Sequence, residues 1–169
     1  MVEPWLRGTL GELDAVRRGV LHALELAAED VTRWCAGLSD EEMEARPFGV
    51  ASVGFHVRHM VRSLDRLLTY AEGAALSEGQ MEKLRSEMEP EPGGREATVL
   101  EFAEGMEVAV ARVRRFEPVQ YEKVWGVGRK MLPTTVGGLL VHCAEHTQRH
   151  AGQVVTTAKV VLGMREQGL

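Results

Sequence analysis

Residues 134–162, TTVGGLLVHCAEHTQRHAGQVVTTAKVVL, contain the pattern that decides the fold. Apolar and small side chains recur there at spacings of three, four and seven, which is typical of an amphipathic helix. Thr134 can cap this helix and Gly163 can end it. The side chains predicted to face the core are Val136, Leu140, Cys143, Thr147, Val154 and Val161. The segment therefore predicts a long helix with one buried face.

Three histidines lie four residues apart on this segment, at His142, His146 and His150. A step of four rotates about 40° around a helix axis, so the rings stack along one side. A second pair, His56 and His59, lies in another predicted helix. Any one histidine is explained as well by ordinary packing, but imidazole is the commonest ligand for zinc and similar metals. The two clusters together indicate a metal site between two helices.

Helical periodicity also predicts how these histidines face. His146 and His150 fall within or beside the apolar arc, so we expect them to point inward. His142 lies further round and is open to three roles: ligand, support for a ligand, or rim residue. His56 and His59 are three residues apart, and periodicity favours His56 as the more buried. The pattern does not decide which of these two binds a metal.

The rest of the chain also predicts helices. Long helices are expected at about Trp5–Ala36, at Ser52–Ala71, and from a capping box of Thr98 with Glu101 to a point before Pro118. Ser39 with Glu42 predicts a short capped turn, Gly73 a C-terminal cap, and residues 77–94 a short exposed helix followed by a loop. Residues 121–133 are predicted to be irregular, with Trp125 in a glycine-containing turn. Four long helices with polar connections indicate an all-α four-helix bundle.

Composition sets the protein class. The chain has 169 residues, of which 44% are hydrophobic and 27% charged, so we expect a single domain over residues 1–169. The net charge of -5 argues against a nucleic-acid binder. No apolar run is long enough to cross a bilayer, and the first residues lack a signal pattern. Cys35 and Cys143 give no disulfide framework. These features predict a cytoplasmic protein with no membrane partner.

Three segments resemble the DinB-like superfamily. Residues 52–60, SVGFHVRHM, look like the family's second-helix motif, in which His59 matches the metal-binding histidine. Residues 146–153, HTQRHAGQ, resemble the fourth-helix signature H-x-x-x-H-x-G-Q. Residues 38–47 resemble the family's link between helices one and two. The three segments follow one another in the order and at the separations of the family's motifs. The resemblance extends over most of the chain.

The resemblance implies a DinB-like four-helix bundle that binds a divalent metal, zinc or nickel being the first expectation. The ligands implied are His59, His146 and His150, and the choice of His59 over His56 comes from the resemblance alone. Family members include bacillithiol S-transferases and relatives of mycothiol-dependent maleylpyruvate isomerase, so a thiol such as bacillithiol or mycothiol is an implied cofactor. Dimers are common in the family, and a homodimer is expected here, with Trp5, Trp34 and Trp125 available for contacts.

Three neutral ligands leave the metal's charge uncompensated and a coordination position open. Such a site can hold a thiol as thiolate or acidify water, so thiol transfer to a small-molecule substrate and hydrolysis both fit. The alternative is a non-catalytic, stress-associated binding protein with a structural metal or none. Cofactor or substrate binding is predicted for Gln153, Arg58 and Arg62, with Arg149 as a further candidate for an anionic group. No catalytic residue is assigned: Glu145 fits a surface charge and Cys143 a packed core thiol.

Overall fold

The computed structural model describes residues 2–128 and 130–168. Its six α-helices are α1 (Ala15–Cys35), α2 (Asp40–Glu44), α3 (Val53–Ala71), α4 (Glu78–Arg85), α5 (Gly94–Arg114) and α6 (Val136–Glu166). Two short strands, β1 (Val124–Val127) and β2 (Leu132–Thr135), pair antiparallel just before α6. The protein is therefore mostly helical, as the sequence predicts.

The long helices pack in adjacent pairs. Helix α6 contacts α1 and α3, and α5 contacts the same two helices from the other side. Apolar side chains from all four helices form a common core, and its most deeply buried members include Leu24, Val31, Val57, Met60, Leu64, Val113, Leu140, Cys143 and Val154. No helix in the described ranges combines the length and the apolar character needed to cross a bilayer. The α3–α6 pair is the one that positions the histidines.

Polar caps define where several helices begin. The predicted capping box of Ser39 and Glu42 is present at α2, and the Ser52 hydroxyl accepts a hydrogen bond from the Phe55 amide at the start of α3. Helix α6 is capped by Thr135, whose hydroxyl accepts from the Gly138 amide, and not by Thr134 as predicted. Thr134 pairs with Trp125 in the hairpin and lies two residues before the first helical residue, Val136, whereas Thr135 directly precedes the helix.

The first helix starts ten residues later than predicted, at Ala15 instead of Trp5. The segment before it contains a short 3-10 turn at Pro4–Leu6, and Leu10 has a φ of 59°, which an α-helix does not accept. Leu10 still packs against the core from this non-helical backbone. The apolar periodicity of this segment thus predicted correctly that Leu10 packs against the core, but it predicted wrongly that the segment is helical.

Two other predicted boundaries are wrong. The Thr98 hydroxyl donates to the Gly94 carbonyl inside α5, so it does not cap the helix, which begins four residues earlier at Gly94. Helix α6 continues through Gly163 to Glu166, because a single glycine is tolerated in a helix. The left-handed residue after this helix is Gly168, with a φ of 70°. Gly168 therefore takes the place predicted for Gly163.

The hairpin contradicts the prediction of irregular structure for residues 121–133. Trp125 lies in β1 opposite Thr134, and its ring rests against Gly73 at the end of α3. Strands of four residues are too short to show a convincing alternation of apolar and polar side chains. Gly126 and Pro133, which suggest a turn in the sequence, occupy paired positions instead.

Asp14 is expected to stabilise α1 in a pH-dependent way. Its carboxylate accepts hydrogen bonds from the Val16 and Arg17 amides, from the Arg17 side chain at 2.5 Å and from the Tyr121 hydroxyl at 2.9 Å. Burial by itself would raise the pKa of Asp14, but these bonds outweigh it and lower the pKa from 3.8 to about 2. Because the folded-state pKa is depressed, the stabilisation is present above pH 4 and is lost as the pH falls towards 2.

We expect Asp14→Ala to lower the free energy of unfolding by about 1–2 kcal/mol at pH 7, the usual cost of losing such a cap. The difference from the unchanged chain should shrink below pH 4. Urea unfolding at pH 7 and at pH 3 measures both values. An equal difference at the two pH values would contradict the assigned pKa.

Candidate metal centre

Two contacts between histidine rings join α3 to α6. The Nε2 atoms of His59 and His146 are 2.9 Å apart, and the Nδ1 atoms of His56 and His150 are also 2.9 Å apart. The higher-numbered residue of α3 meets the lower-numbered residue of α6, so the helices run antiparallel here. This arrangement brings four of the five clustered histidines into one row across the helix pair.

Three of these residues form a compact group. His59, His146 and His150 each offer one ring nitrogen, and the three nitrogens lie within 4.8 Å of one another. Their ring centroids are 4.5–5.0 Å apart. All three side chains are partly buried. These are the three residues that the family resemblance implies, and their assignment as ligands stays a prediction.

The spacing fits a bound cation. Zinc–nitrogen bonds of about 2.0–2.1 Å at tetrahedral angles place ligand nitrogens about 3.3 Å apart. The 2.9 Å contact between His59 and His146 and the 4.8 Å limit of the group bracket that value. The distances between these nitrogens would need to change by a few tenths of an ångström to at most about 1.5 Å. Three imidazoles are also a donor set that zinc and nickel accept.

Burial keeps two of these rings neutral. Loss of solvent lowers the pKa of His146 to about 4 and that of His150 to about 3, and the nearby His59 adds to both shifts. At pH 7 each of these rings therefore carries one free lone pair. A neutral imidazole is the form that binds a metal.

His56 is the more buried member of its pair, as periodicity predicts. It is 6% exposed, whereas His59 is only partly buried. Burial lowers the pKa of His56 to about 4, and its Nδ1 faces Nδ1 of His150. One of the two rings must donate in this contact. His56 thus supports His150 from outside the three-histidine group.

The sequence interpretation missed Glu87. This residue lies in the connection between α4 and α5, and its Oε2 is 2.8 Å from Nδ1 of His59. Its other oxygen accepts a hydrogen bond from Arg66. No local motif marks Glu87, since it follows His59 by 28 residues in a polar stretch. Only a proposed pairing of the two segments could have identified it.

His142 lies at the edge of the group. Its ring centroid is 5.4 Å from that of His146, and its Nδ1 is 3.5 Å from the Glu145 carboxylate. Glu145 also accepts a hydrogen bond from Arg149 at 2.8 Å, and both of those side chains are exposed. The arrangement fits the predicted surface charge. Cys143 is fully buried, and burial raises its pKa to about 12, which matches a packed core thiol.

Two of the residues predicted to bind a substrate or cofactor are buried in ion pairs, and the third is exposed. Arg58 is completely buried, with its Nη1 2.5 Å from the Glu44 carboxylate. Arg62 is also buried and donates to Glu101 at 2.7 and 3.0 Å. Gln153 is exposed, three residues after His150 on α6. Their role in binding stays a prediction, and Gln153 is the most accessible of the three.

Phe55 forms one wall of the group. Its ring stacks on His59 at a centroid distance of 5.4 Å and an interplanar angle of 18°. It also meets the rings of His56 and His150 edge-on. An apolar wall at this position shields one side of the His59 ring from water, which strengthens electrostatic interactions at the ring nitrogens.

A comparison with curated proteins returned no match to the chain. The family model of the DinB superfamily matches residues 23–154, which is well over half of the 169 residues. The matched span includes all three histidines of the compact group, the whole of α3 and the part of α6 that carries His146 and His150. The chain belongs to the DinB superfamily.

Proposed function

We propose that this chain is a metal-dependent DinB-like protein, organised as a single four-helix bundle with one divalent cation held by His59, His146 and His150. The proposal is carried by one observation: three ring nitrogens from two helices lie within 4.8 Å of one another. Helices α1, α3, α5 and α6 are the four long elements of this bundle. Imidazole binds several first-row metal ions, and zinc and nickel are the first candidates among them.

The chain's own residues prepare such a site. His146 and His150 supply neutral imidazoles, His56 contacts Nδ1 of His150, and Glu87 contacts Nδ1 of His59. When bound, the cation acidifies a thiol or water at its open position and can polarise a carbonyl. Because the three ligands are neutral, they do not reduce the positive charge of the cation, on which this chemistry depends.

Thiol transfer to a small electrophilic substrate is the reaction we propose first. The thiol would be a small one such as bacillithiol or mycothiol, with Gln153 as an accessible group beside it and Arg58 and Arg62 as the further candidates. Hydrolysis, or binding without catalysis, is the alternative. A homodimer stays a prediction; Trp5 is 62% exposed and available for such a contact. Sedimentation at micromolar concentration distinguishes it from a monomer.

Cobalt-substituted protein tests the reaction class. We expect a thiol that reaches the metal to lose its proton and to give a sulfur-to-metal charge-transfer band. The signal should come from the added thiol, because Cys35 and Cys143 are buried and burial raises the pKa of each to about 12. Transfer to a model electrophile should then require His59, His146 and His150.

The matched control is His146→Ala, which should show neither band nor turnover. A panel of bacillithiol, mycothiol, glutathione and cysteine covers the common small thiols. If metal-loaded protein gave neither a charge-transfer band nor turnover with any of these thiols, the result would contradict the transferase proposal. Hydrolysis or a non-catalytic role would then be the better explanation.

A further inference from the structure

Glu87 is a buried carboxylate that attaches the α4–α5 connection to α3. The residue is 4% exposed. One carboxylate oxygen accepts from Nδ1 of His59 at 2.8 Å, and the other accepts from Arg66. Its main-chain carbonyl accepts from Nε of Arg58 at 3.4 Å. Every polar contact found for Glu87 is therefore made to α3, and one of them reaches a residue of the histidine group.

We propose that Glu87 is a positioning residue for the metal centre. By accepting the Nδ1 hydrogen of His59, it holds the ring in the tautomer whose Nε2 carries the lone pair. That Nε2 is the atom that lies 2.9 Å from Nε2 of His146, inside the three-histidine group. The inference rests on the metal centre proposed above and adds a residue that neither the motif nor the family match assigns.

The charge of Glu87 matters as much as its hydrogen bond. Its second carboxylate oxygen accepts from Arg66, and this ion pair is formed by two side chains that are only 5% and 10% exposed. A carboxylate behind a metal-binding imidazole raises the basicity of the ligating nitrogen and fixes the ring. Among the described residues, Glu87 is also the only carboxylate found within hydrogen-bonding distance of His59, His146 or His150.

The three histidines are not supported equally. His150 has an imidazole partner, since its Nδ1 lies 2.9 Å from Nδ1 of His56. His59 has a carboxylate partner, and Arg66 donates to the other oxygen of that carboxylate. Glu87 is thus the position at which a conservative change alters the electrostatics of the centre without removing a ligand.

Glu87→Gln tests this role, because glutamine keeps an acceptor and removes the charge. We expect zinc affinity, measured by competition with a chromophoric chelator, to fall about 10-fold or more, and about 100-fold in Glu87→Ala. Glu101→Gln is the matched control: Glu101 also holds an α3 arginine, Arg62, but contacts no histidine. Its affinity should stay within about twofold of the unchanged chain.

A second readout separates positioning from packing. In zinc-free protein, ¹⁵N chemical shifts of the His59 ring should report the Nδ1–H tautomer, and Glu87→Ala should lose this preference. Equal zinc affinity in Glu87→Gln and the unchanged chain, or an equal loss in Glu101→Gln, would overturn the inference while the metal centre stands. No zinc binding by the unchanged chain would overturn the metal centre and this inference together.

Discussion

His146→Ala is expected to abolish stoichiometric zinc binding, and His59→Ala and His150→Ala should do the same. A structural zinc site gains about 10–16 kcal/mol from four ligands, so one ligand accounts for about 3 kcal/mol. Such a loss weakens binding about 100-fold or more. The effect is large because the compact group combines one ring nitrogen from α3 with two from α6, so the loss of any one leaves the cation only two of the three imidazoles.

His142→Ala is the matched control for these variants. It removes an imidazole one turn before His146, from a partly exposed ring outside the compact group. Zinc affinity should change by no more than about threefold, the scale of a surface substitution. His56→Ala should give an intermediate loss, because it removes the support of His150. Normal metal content in His59→Ala, with loss in His56→Ala, would reverse the assignment of ligand and support.

Glu44→Ala is expected to destabilise the fold strongly. Glu44 belongs to α2 and accepts from Nη1 and Nη2 of Arg58 at 2.5 and 3.1 Å and from the Ser52 hydroxyl at 3.1 Å. Arg58 is completely buried. Without Glu44 its charge would keep only the long bond to the Glu87 carbonyl. Removing one partner of a buried ion pair costs about 3–5 kcal/mol, and we expect a value near 3 kcal/mol here because the Glu44 side chain is 24% exposed. For a chain of this size, that lowers Tm by about 10 °C.

Two further variants show whether the unpaired charge is the cause. Glu44→Ala combined with Arg58→Met should be more stable than Glu44→Ala alone, because methionine leaves no buried charge. Gly54→Ala should act in the same direction as Glu44→Ala, since its Cβ would overlap the Glu44 carboxylate and lie 2.9 Å from Nη1 of Arg58. Both comparisons are made by urea unfolding at pH 7.

The control for this series is Glu145→Ala, which removes a carboxylate from the exposed pair with Arg149. It should change the free energy of unfolding by less than about 1 kcal/mol. If Glu44→Ala behaved like Glu145→Ala, the buried pair would not hold α2 on α3 as described.

Local signals predicted some elements well. Helix α3 was predicted within one residue, because Ser52 caps it and its apolar stripe continues to its end. The start of α1 was wrong, because the periodicity of Leu10 reflects burial from a loop with positive φ. The hairpin was missed because its pairing depends on contacts with α3 and on the hydrogen bond from the Met131 amide to the Gly128 carbonyl, not on a local alternation of side chains.

The site was predictable only in part. Spacing indicated that His146 and His150 share a face with the core, and it ranked His56 as more buried than His59. Burial does not specify where a ring nitrogen points, however. His59 enters the compact group because its Nε2 is turned towards α6 while its Nδ1 is held by Glu87. That orientation depends on a long-range contact, which periodicity along one helix does not encode.

X-ray absorption at the zinc edge tests the central claim most directly. The sample is protein purified without a nickel column and loaded with one equivalent of zinc. We predict one tightly bound zinc per chain, with nitrogen or oxygen neighbours at about 2.0–2.1 Å and the outer-shell scattering of three imidazoles. Less than one zinc per chain, or a sulfur neighbour at about 2.3 Å, would contradict a centre built from His59, His146 and His150.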